Sequence, residues 1–477
     1  MGVSQAGLVV MQFVTTVLVA RLLTPYDMGV FAVASAIVGV ISIMRSLGLS
    51  NYIIRAKELN DSLLSSVFTV NAIIAVFVSL IIAACGAVGG VFLNEAGVTH
   101  VLLLLSVIPL INIFELLPGT SIERAGDFRT TAIVGLVRGF TSYAATLVLA
   151  FDGFSYMSLA YGHVAGTLTA MVLVNIIARQ HVRVKVGLHD WRAILRYGLQ
   201  VVAISGVNVF SMRFADVVLG RIAGLAALGL YSRAAGFNAL LWDNVHLIVG
   251  RIVFVDFSAQ IRRGESLRSS YLLIVQFVTA LLWPAFAGIA VISGPLIFVL
   301  YGAAWVDAAI PLSLLAMSSF VLVTVTMAGE LFVVREQTAQ QARFEFIRAT
   351  IGISLFTAGC FVGFNYAAAA RLVEALFAAC LYFPHISRMT GTCSQDYGSI
   401  YGASLALTVV AVAPAFGTMI WYGWSPAAPF GAVCVAVAVG IAFWMVLLML
   451  LRHPLAIEAQ SLVSQLVQKL RRGDARS

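Results

Sequence analysis

Charge is what this sequence has least of. Only 10% of its 477 residues are Asp, Glu, Lys or Arg, against about 25% in a soluble domain, which excludes an ordinary globular protein. Alternating polar and apolar residues are missing too: the hydrophobic stretches are continuous, so a membrane barrel is excluded. The five cysteines (Cys85, Cys360, Cys380, Cys393 and Cys434) are scattered and odd in number, which gives neither a disulfide framework nor a metal site. No phosphate-cradling glycine loop, His-Glu-x-x-His or Gly-x-Ser-x-Gly occurs, so the sequence points to no cofactor, no metal and no catalytic residue. A basic segment ahead of the first apolar run is also lacking. The reading is therefore of no cleavable signal peptide, and a truncated start is compatible with the few residues before that run.

What remains is 61% hydrophobic, with a mean hydropathy of +0.99. The apolar runs repeatedly reach the roughly 20 residues that carry a helix across a bilayer. Fourteen such spans are expected: 6–20, 28–49, 63–85, 98–117, 130–151, 157–178, 197–220, 226–250, 270–293, 308–334, 346–364, 366–387, 400–422 and 428–451. The first is short and the eleventh and twelfth are separated by little more than Asn365, so twelve or thirteen remain compatible.

The net charge of +8 is spread over short loops, which argues against nucleic acid and for the positive-inside rule. With the N-terminus inside, 22 Lys and Arg fall on the cytoplasmic side, only Arg21 and Arg221 fall outside, and five lie within spans. Both termini are therefore expected in the cytoplasm. Leu455 to Leu470 carries Leu455, Leu462, Leu466 and Leu470 at helical spacing ahead of Lys469, Arg471 and Arg472; it reads either as an interfacial helix on the anionic leaflet or as a frayed tail.

The chain also repeats itself weakly. Arg21, Gly29 and Phe31 align with Arg221, Gly229 and Tyr231 at an offset of 200 residues, which Val17/Val217, Ala34/Ala234 and Leu47/Leu247 extend. The longest hydrophilic interruption, Arg179 to Leu195, falls between the sixth and seventh spans. The expected fold is an all-α polytopic membrane protein of about fourteen transmembrane helices. Two six-helix lobes, 1–178 and 196–388, flank a cytoplasmic linker at 179–195. An even number of helices per lobe makes these parallel repeats, related by a pseudo-twofold along the membrane normal. Two further helices occupy 389–451, and a basic tail occupies 452–477.

Ionisable residues inside a membrane are costly and usually face protein or a watery cavity. Arg213/Asp216 and Arg371/Glu374 are i, i+3 pairs on one helix face. They read either as mutually neutralised structure or as a gate. Arg45, Arg138 and Arg233 have no such partner on their own helix. Snorkelling is a second reading for Arg45, near the cytoplasmic end of its span. Asp243 is the acidic counterpart, and Glu115 and Glu330 are placed at cytoplasmic ends of the fourth and tenth spans. Guanidinium groups facing a wet cavity suit a phosphate, which they grip through paired hydrogen bonds. His163, His246 and His385 read as hydrogen-bonded packing residues.

At these motifs the chain resembles the polysaccharide transporter family, the Wzx-type O-antigen and exopolysaccharide flippases of the multidrug/oligosaccharidyl-lipid/polysaccharide flippase superfamily. The resemblance is carried by Ala20-Arg21-Leu22-Leu23-Thr24-Pro25 with Gly29, by Leu47-Gly48-Leu49, by Arg213-x-x-Asp216 and Gly220-Arg221, and by Gly229-x-Tyr231 and Gly302-x-x-Trp305. It covers at least residues 15–310. It implies two lobes around a central cavity and a cargo of undecaprenyl-pyrophosphate-linked oligosaccharide, moved across the inner membrane by alternating access. On this reading Arg45, Arg138 and Arg233 meet the pyrophosphate and the polar lobe interface takes the sugar. Arg213, Asp216, Asp243, Arg371 and Glu374 serve gating or ion coupling. The partners expected are the lipid-linked oligosaccharide, membrane lipid, a polysaccharide polymerase and a chain-length regulator. The first span carries no charge before Arg21, so any mechanism using a first-helix charge does not transfer. Two alternatives stay open: a multidrug or cation antiporter of the same superfamily, and a membrane glycan polymerase or ligase. Short outward loops, about a dozen residues around Gly86–Gly97 and Gly294–Asp307, weigh against the second by analogy.

Overall fold

The computed structural model describes residues 2–45, 47–56, 59–93, 95–179 and 185–456. The expected helix of the tail lies almost wholly outside them. Among the described residues the chain is helical without a strand. It runs α1 (Gly2–Leu22), α2 (Pro25–Ser42), α3 (Leu49–Arg55), α4 (Asp61–Leu93), α5 (Ala96–Leu105), α6 (Val107–Arg124), α7 (Phe128–Phe151), α8 (Tyr156–Ile177) and α9 (Trp191–Ile222). There follow α10 (Leu225–Arg262), α11 (Arg268–Tyr301), α12 (Ala309–Leu322), α13 (Ala328–Val334), α14 (Thr338–Val362), α15 (Phe364–Thr390), α16 (Ser394–Trp421) and α17 (Phe430–Leu450). Taking α2 with α3, α5 with α6 and α12 with α13, these fall in the expected order of fourteen stretches. Eleven are long and apolar enough to cross a membrane, and the apolar part of α1, Val9–Leu22, is shorter. The remaining two, α9 and α10, carry Arg213, Asp216, Arg233 and Asp243. Several helices run past their expected ends, with α4 reaching Leu93, α10 Arg262 and α11 Tyr301, and one such shift bears on the site. The fourth span continues to Arg124, so Glu115 stands more than two turns inside its helix rather than at the end.

The sequence motifs have local causes. Thr24 caps α2: its hydroxyl accepts from the Asp27 N–H at 3.2 Å, while the Asp27 carboxylate accepts from the Thr24 N–H at 3.0 Å. Pro25 sits at the first helical position, where a missing N–H costs nothing. Asp27 also accepts from the Ser155 hydroxyl, and Tyr26 donates to Glu95, so the start of α2 is tied to two neighbouring turns. After α2, a short 3-10 turn (Ile43–Arg45) and Gly48, at φ +58°, redirect the chain into α3. That left-handed conformation favours glycine.

Contacts divide the chain into two compact units, 1–232 with 360–364 and 233–359 with 365–477. In the first, α2 lies antiparallel on α9. A Cβ at Gly220 would stand 3.3 Å from Val33, one at Gly39 3.1 Å from the Arg213 guanidinium, and one at Gly198 2.4 Å from Leu47. The same unit holds a reciprocal contact. A Cβ on Gly29 would fall 1.8 Å from the Leu225 carbonyl oxygen, and one on Gly229 would fall 1.8 Å from that of Pro25. Residues 25 and 29 thus repeat at 225 and 229 and touch each other crosswise, as a two-fold relation requires. Each contact needs glycine because a side chain would occupy the partner's backbone. Leu47, Leu49, Ile53, Val67, Phe68, Ile113, Leu117 and Ile194 form an apolar cluster in this unit.

In the second unit the core is aromatic. Phe257, Tyr271, Phe332, Phe344, Tyr382 and Tyr397 pack with Val275, Leu331 and Ile386. His385 belongs to this packing, 2.6 Å from Gln340 and edge-on to Phe344 at 4.5 Å. The last two helices dock on α11: Thr279 meets Ser404 at 2.8 Å, and the Trp444 indole donates to the Ala280 carbonyl at 3.1 Å. These bonds offset the cost of burying the Thr279, Ser404 and Trp444 polar groups in an apolar setting.

Candidate functional site

The first unit contains a polar cavity of about 480 Å³ walled by residues from α2 to α7. Arg45 enters from the 3-10 turn after α2. Asn71 comes from α4, Asn112 and Glu115 from α6, and Arg138 from α7. Ser50, Asn51, Thr120 and Glu123 complete the polar wall. The Thr120 hydroxyl donates to Ser50 at 3.1 Å.

Two features of packing set these side chains in place. Pro118 lies inside α6; lacking an N–H, it leaves the Phe114 carbonyl, four residues earlier, without its helical donor. Asn175 of α8 supplies one, at 3.0 Å. That bond anchors α8 on α6 beside Glu115. On the other side, α8 presses closely on α7. A Cβ at Gly166 would stand 2.8 Å from the Arg138 carbonyl oxygen and 2.7 Å from the Ser142 Cβ, and one at Gly162 1.9 Å from the Thr146 hydroxyl. The backbone that carries Arg138 is held by this glycine face.

Arg138 forms a salt bridge with Glu115, with side-chain exposures of 41% and 19%. Spacing along a single helix could not have shown this pair, because its members come from α6 and α7. Arg45 lines the same cavity and feels both Glu115 and Arg138 electrostatically. Among the described residues no salt bridge reaches Arg45. Among the described residues three buried polar atoms in this wall have no partner: Asn71 Nδ2, Glu115 Oε2 and Arg138 Nε.

The other expected residues lie elsewhere. Arg213 sits 3.8 Å from Asp216, against Gly39 of α2. In the second unit, Arg233 lies over the Trp305 ring at 5.9 Å, and Trp305 meets Tyr301 edge-on at 6.1 Å. The spacing Gly302-x-x-Trp305 thus builds a seat for a guanidinium, an arrangement of about 0.5–2 kcal/mol depending on solvation. Asp243 is exposed, and among the described residues no salt bridge reaches it. Arg371 bonds Glu374 at 2.6 Å and stacks on Phe356 at 4.6 Å. The structure therefore brings Arg45 and Arg138 into one cavity, with Glu115 as the residue that sequence reasoning placed at a helix end. Among the described residues no group of three or more His, Cys, Asp or Glu is arranged to hold a metal ion.

Residues 18–310 match the family described as polysaccharide biosynthesis protein. The chain belongs to that family. The matched segment is the one that carries the Leu-Thr-Pro, Arg-x-x-Asp and Gly-x-x-Trp motifs. The succinoglycan biosynthesis transport protein ExoT of Rhizobium meliloti is 24% identical over 319 residues, 67% of this chain and 65% of that protein. The lipopolysaccharide biosynthesis protein WzxC of Escherichia coli is 24% identical over 296 residues, 60% of this chain and 58% of that one. The chain thus spans less than two thirds of the length of either relative. Among solved structures, the inward closed lipid II flippase MurJ superposes with a TM-score of 0.77 at 14% identity, covering 94% of this chain and 98% of that one. An inward-facing multidrug resistance MATE transporter of the MOP superfamily gives 0.63 at 15% identity, covering 81% and 96%. At such identities the likeness establishes the fold, that of a multi-pass helical membrane protein shared by lipid flippases and drug transporters.

Proposed function

We propose that this protein is a flippase and not an enzyme. Its cargo is a polyprenyl-diphosphate-linked oligosaccharide, an O-antigen or exopolysaccharide repeat unit, moved from the cytoplasmic to the periplasmic leaflet of the inner membrane. The observation that carries the reading is the polar cavity of about 480 Å³ inside an otherwise apolar bundle of a polysaccharide biosynthesis family member. Intramembrane polar walls are costly and mark a cargo path, and the volume lies in the roughly 300–1,000 Å³ range of small-ligand sites.

Arg45, Arg138 and Arg233 are the guanidinium groups assigned to the cargo. Arg45 has the strongest claim on the diphosphate, because Glu115 already balances Arg138. Arg213/Asp216, Asp243 and Arg371/Glu374 are assigned to gating or ion coupling as two lobes, 1–178 and 196–388, alternate. A polysaccharide polymerase and a chain-length regulator would act on the delivered cargo. A drug antiporter, the nearest alternative on the same fold, would favour acidic residues for a cationic substrate, whereas this cavity holds two arginines against two glutamates.

The test is complementation in a strain lacking the gene. Loss should leave lipid-linked repeat units facing the cytoplasm, where a lost polymerase would leave single units displayed outside. Arg45→Gln should abolish glycan export at unchanged protein level. Full export by Arg45→Gln and Arg138→Gln together would refute the site assignment.

A further inference from the structure

The diphosphate and the glycan make opposite demands on a binding wall. A phosphate oxygen at neutral pH only accepts hydrogen bonds, and it brings negative charge. A sugar hydroxyl both donates and accepts, and it brings none. The cavity in the first unit answers these demands unevenly.

Its ionisable residues are Arg45, Glu115, Glu123 and Arg138, whose formal charges cancel. The salt bridge places Glu115 on Arg138. An anion binding to Arg138 would have to displace a carboxylate or lie against it. Arg45, at the break after α2, has no such guard among the described residues. The rest of the polar wall is neutral: the amides of Asn51, Asn71 and Asn112, with Ser50 and Thr120.

The unmatched atoms follow the same division. Asn71 is only 4% exposed, yet among the described residues its amide nitrogen has no partner, and neither do Glu115 Oε2 and Arg138 Nε. Two of these are donors and one is an acceptor. A phosphate would satisfy the donors and oppose the carboxylate, whereas a pair of neighbouring hydroxyls satisfies all three. Two asparagines elsewhere donate within the fold: Asn175 to the Phe114 and Met171 carbonyls, and Asn238 to Ser319 at 2.8 Å. Among the described residues the Asn71 amide nitrogen of the cavity makes no such bond.

We propose that Asn71, Asn112, Glu115 and Arg138 of the cavity wall form a subsite for an uncharged sugar ring, which the Glu115–Arg138 pair recognises through hydroxyl groups, while the diphosphate is held at Arg45. This rests on the flippase reading and assigns the glycan's first residue to a place inside the first unit. Glu115 then serves selectivity: it repels a bare anion and accepts from a hydroxyl.

The experiment measures binding to the full-length purified protein. One probe is a short prenyl diphosphate, and the other is the same molecule carrying one neutral hexose. Wild type should bind the hexose-bearing probe about tenfold more tightly, the worth of a buried hydrogen bond or two. Asn71→Leu and Asn112→Leu should each erase that gain and leave the sugar-free probe within about twofold. Arg45→Gln should weaken both probes alike. Asn112 is less buried than Asn71, so its variant keeps the test intact if Asn71→Leu does not fold. Equal binding of the two probes by wild type, or asparagine variants that weaken both or neither, would overturn the subsite and leave the flippase reading standing. Failure of wild type to bind either probe would overturn the reading itself.

Discussion

Replacing Gly29 by alanine should pry apart the first turns of α2 and α10. The added methyl carbon would stand 1.8 Å from the Leu225 carbonyl oxygen, where ordinary contact begins at 3.4 Å, so the backbones must separate by about 1.6 Å. The obstacle is backbone and no rotamer change relieves it. Overpacking of this kind costs about 1–3 kcal/mol, enough to shift an equilibrium between touching and separated states roughly 5- to 150-fold. With both termini in the cytoplasm, as the positive-inside rule leads us to propose, this contact faces outward and the variant should open that end. The assay is the electron-resonance distance between labels on Arg21→Cys and Arg221→Cys, with the five native cysteines replaced. Gly29→Ala and Gly229→Ala should each add a longer distance. Their combination should add less than the sum, because one separation relieves both clashes. Gly135→Ala is the control, with nothing within 4 Å of its Cβ. A wild-type distance distribution in both Gly29→Ala and Gly229→Ala would refute the reasoning.

Three smaller perturbations test other parts of the fold. Gly352→Ala would set a methyl 2.7 Å from the Glu374 carboxyl carbon; it should push Glu374 from Arg371 and reduce export several-fold if the pair gates, whereas normal export would confine the pair to packing. Asn175→Ala orphans the Phe114 carbonyl beside Pro118, and should cost about 0.5–1.5 kcal/mol in thermal or denaturant unfolding. At the start of α7, hydrogen bonds from the Thr130 hydroxyl and N–H hold the Asp127 carboxyl below its ordinary value of 3.8. Because that value is lowered by folding, the cap's contribution is complete above 3.8 and fades as pH falls through the folded value. The stability lost in Asp127→Ala should therefore be the same at pH 7 and pH 5 and vanish only in stronger acid; a loss already halved at pH 5 would contradict the capping role.

The order of helices was legible because each must satisfy its own backbone in lipid, which leaves long apolar runs in the sequence. Even the break at Gly363, between the eleventh and twelfth stretches, was marked by little more than Asn365 yet holds two separate helices. The offset of 200 residues was legible as Gly29/Gly229, but its meaning was not. Glycine in a membrane helix signals close approach without naming what approaches. That Leu225 and Pro25 supply the partner carbonyls is a fact of three dimensions. The same limit hid the partner of Arg138. Spacing rules find ion pairs along one helix, and so they found Arg213/Asp216 and Arg371/Glu374. Glu115 lies 23 residues before Arg138, on another helix, and only packing joins them.

This difference in origin bears on which pairs can respond to motion. A pair three residues apart on one rigid helix keeps its geometry however that helix moves, so neither Arg213/Asp216 nor Arg371/Glu374 can sense displacement through its own bond. Each can do so only through what it touches on a neighbouring helix. For Arg213 that surface is Gly39 of α2, where a Cβ would stand 3.1 Å from the guanidinium. For the other pair it is α14, with Phe356 under Arg371 and Gly352 against Glu374. Arg138–Glu115 is the opposite case. It joins α6 to α7, so any sliding between them stretches the bond directly; α8 holds to both, through Gly162 and Gly166 on α7 and through Asn175 on α6. Two arrangements follow from one chemistry: same-helix pairs that ride as rigid bodies against glycine faces, and a cross-helix pair locked into the wall of a cavity. The first suits parts that move past one another, and the second suits a binding wall that must keep its shape while they do.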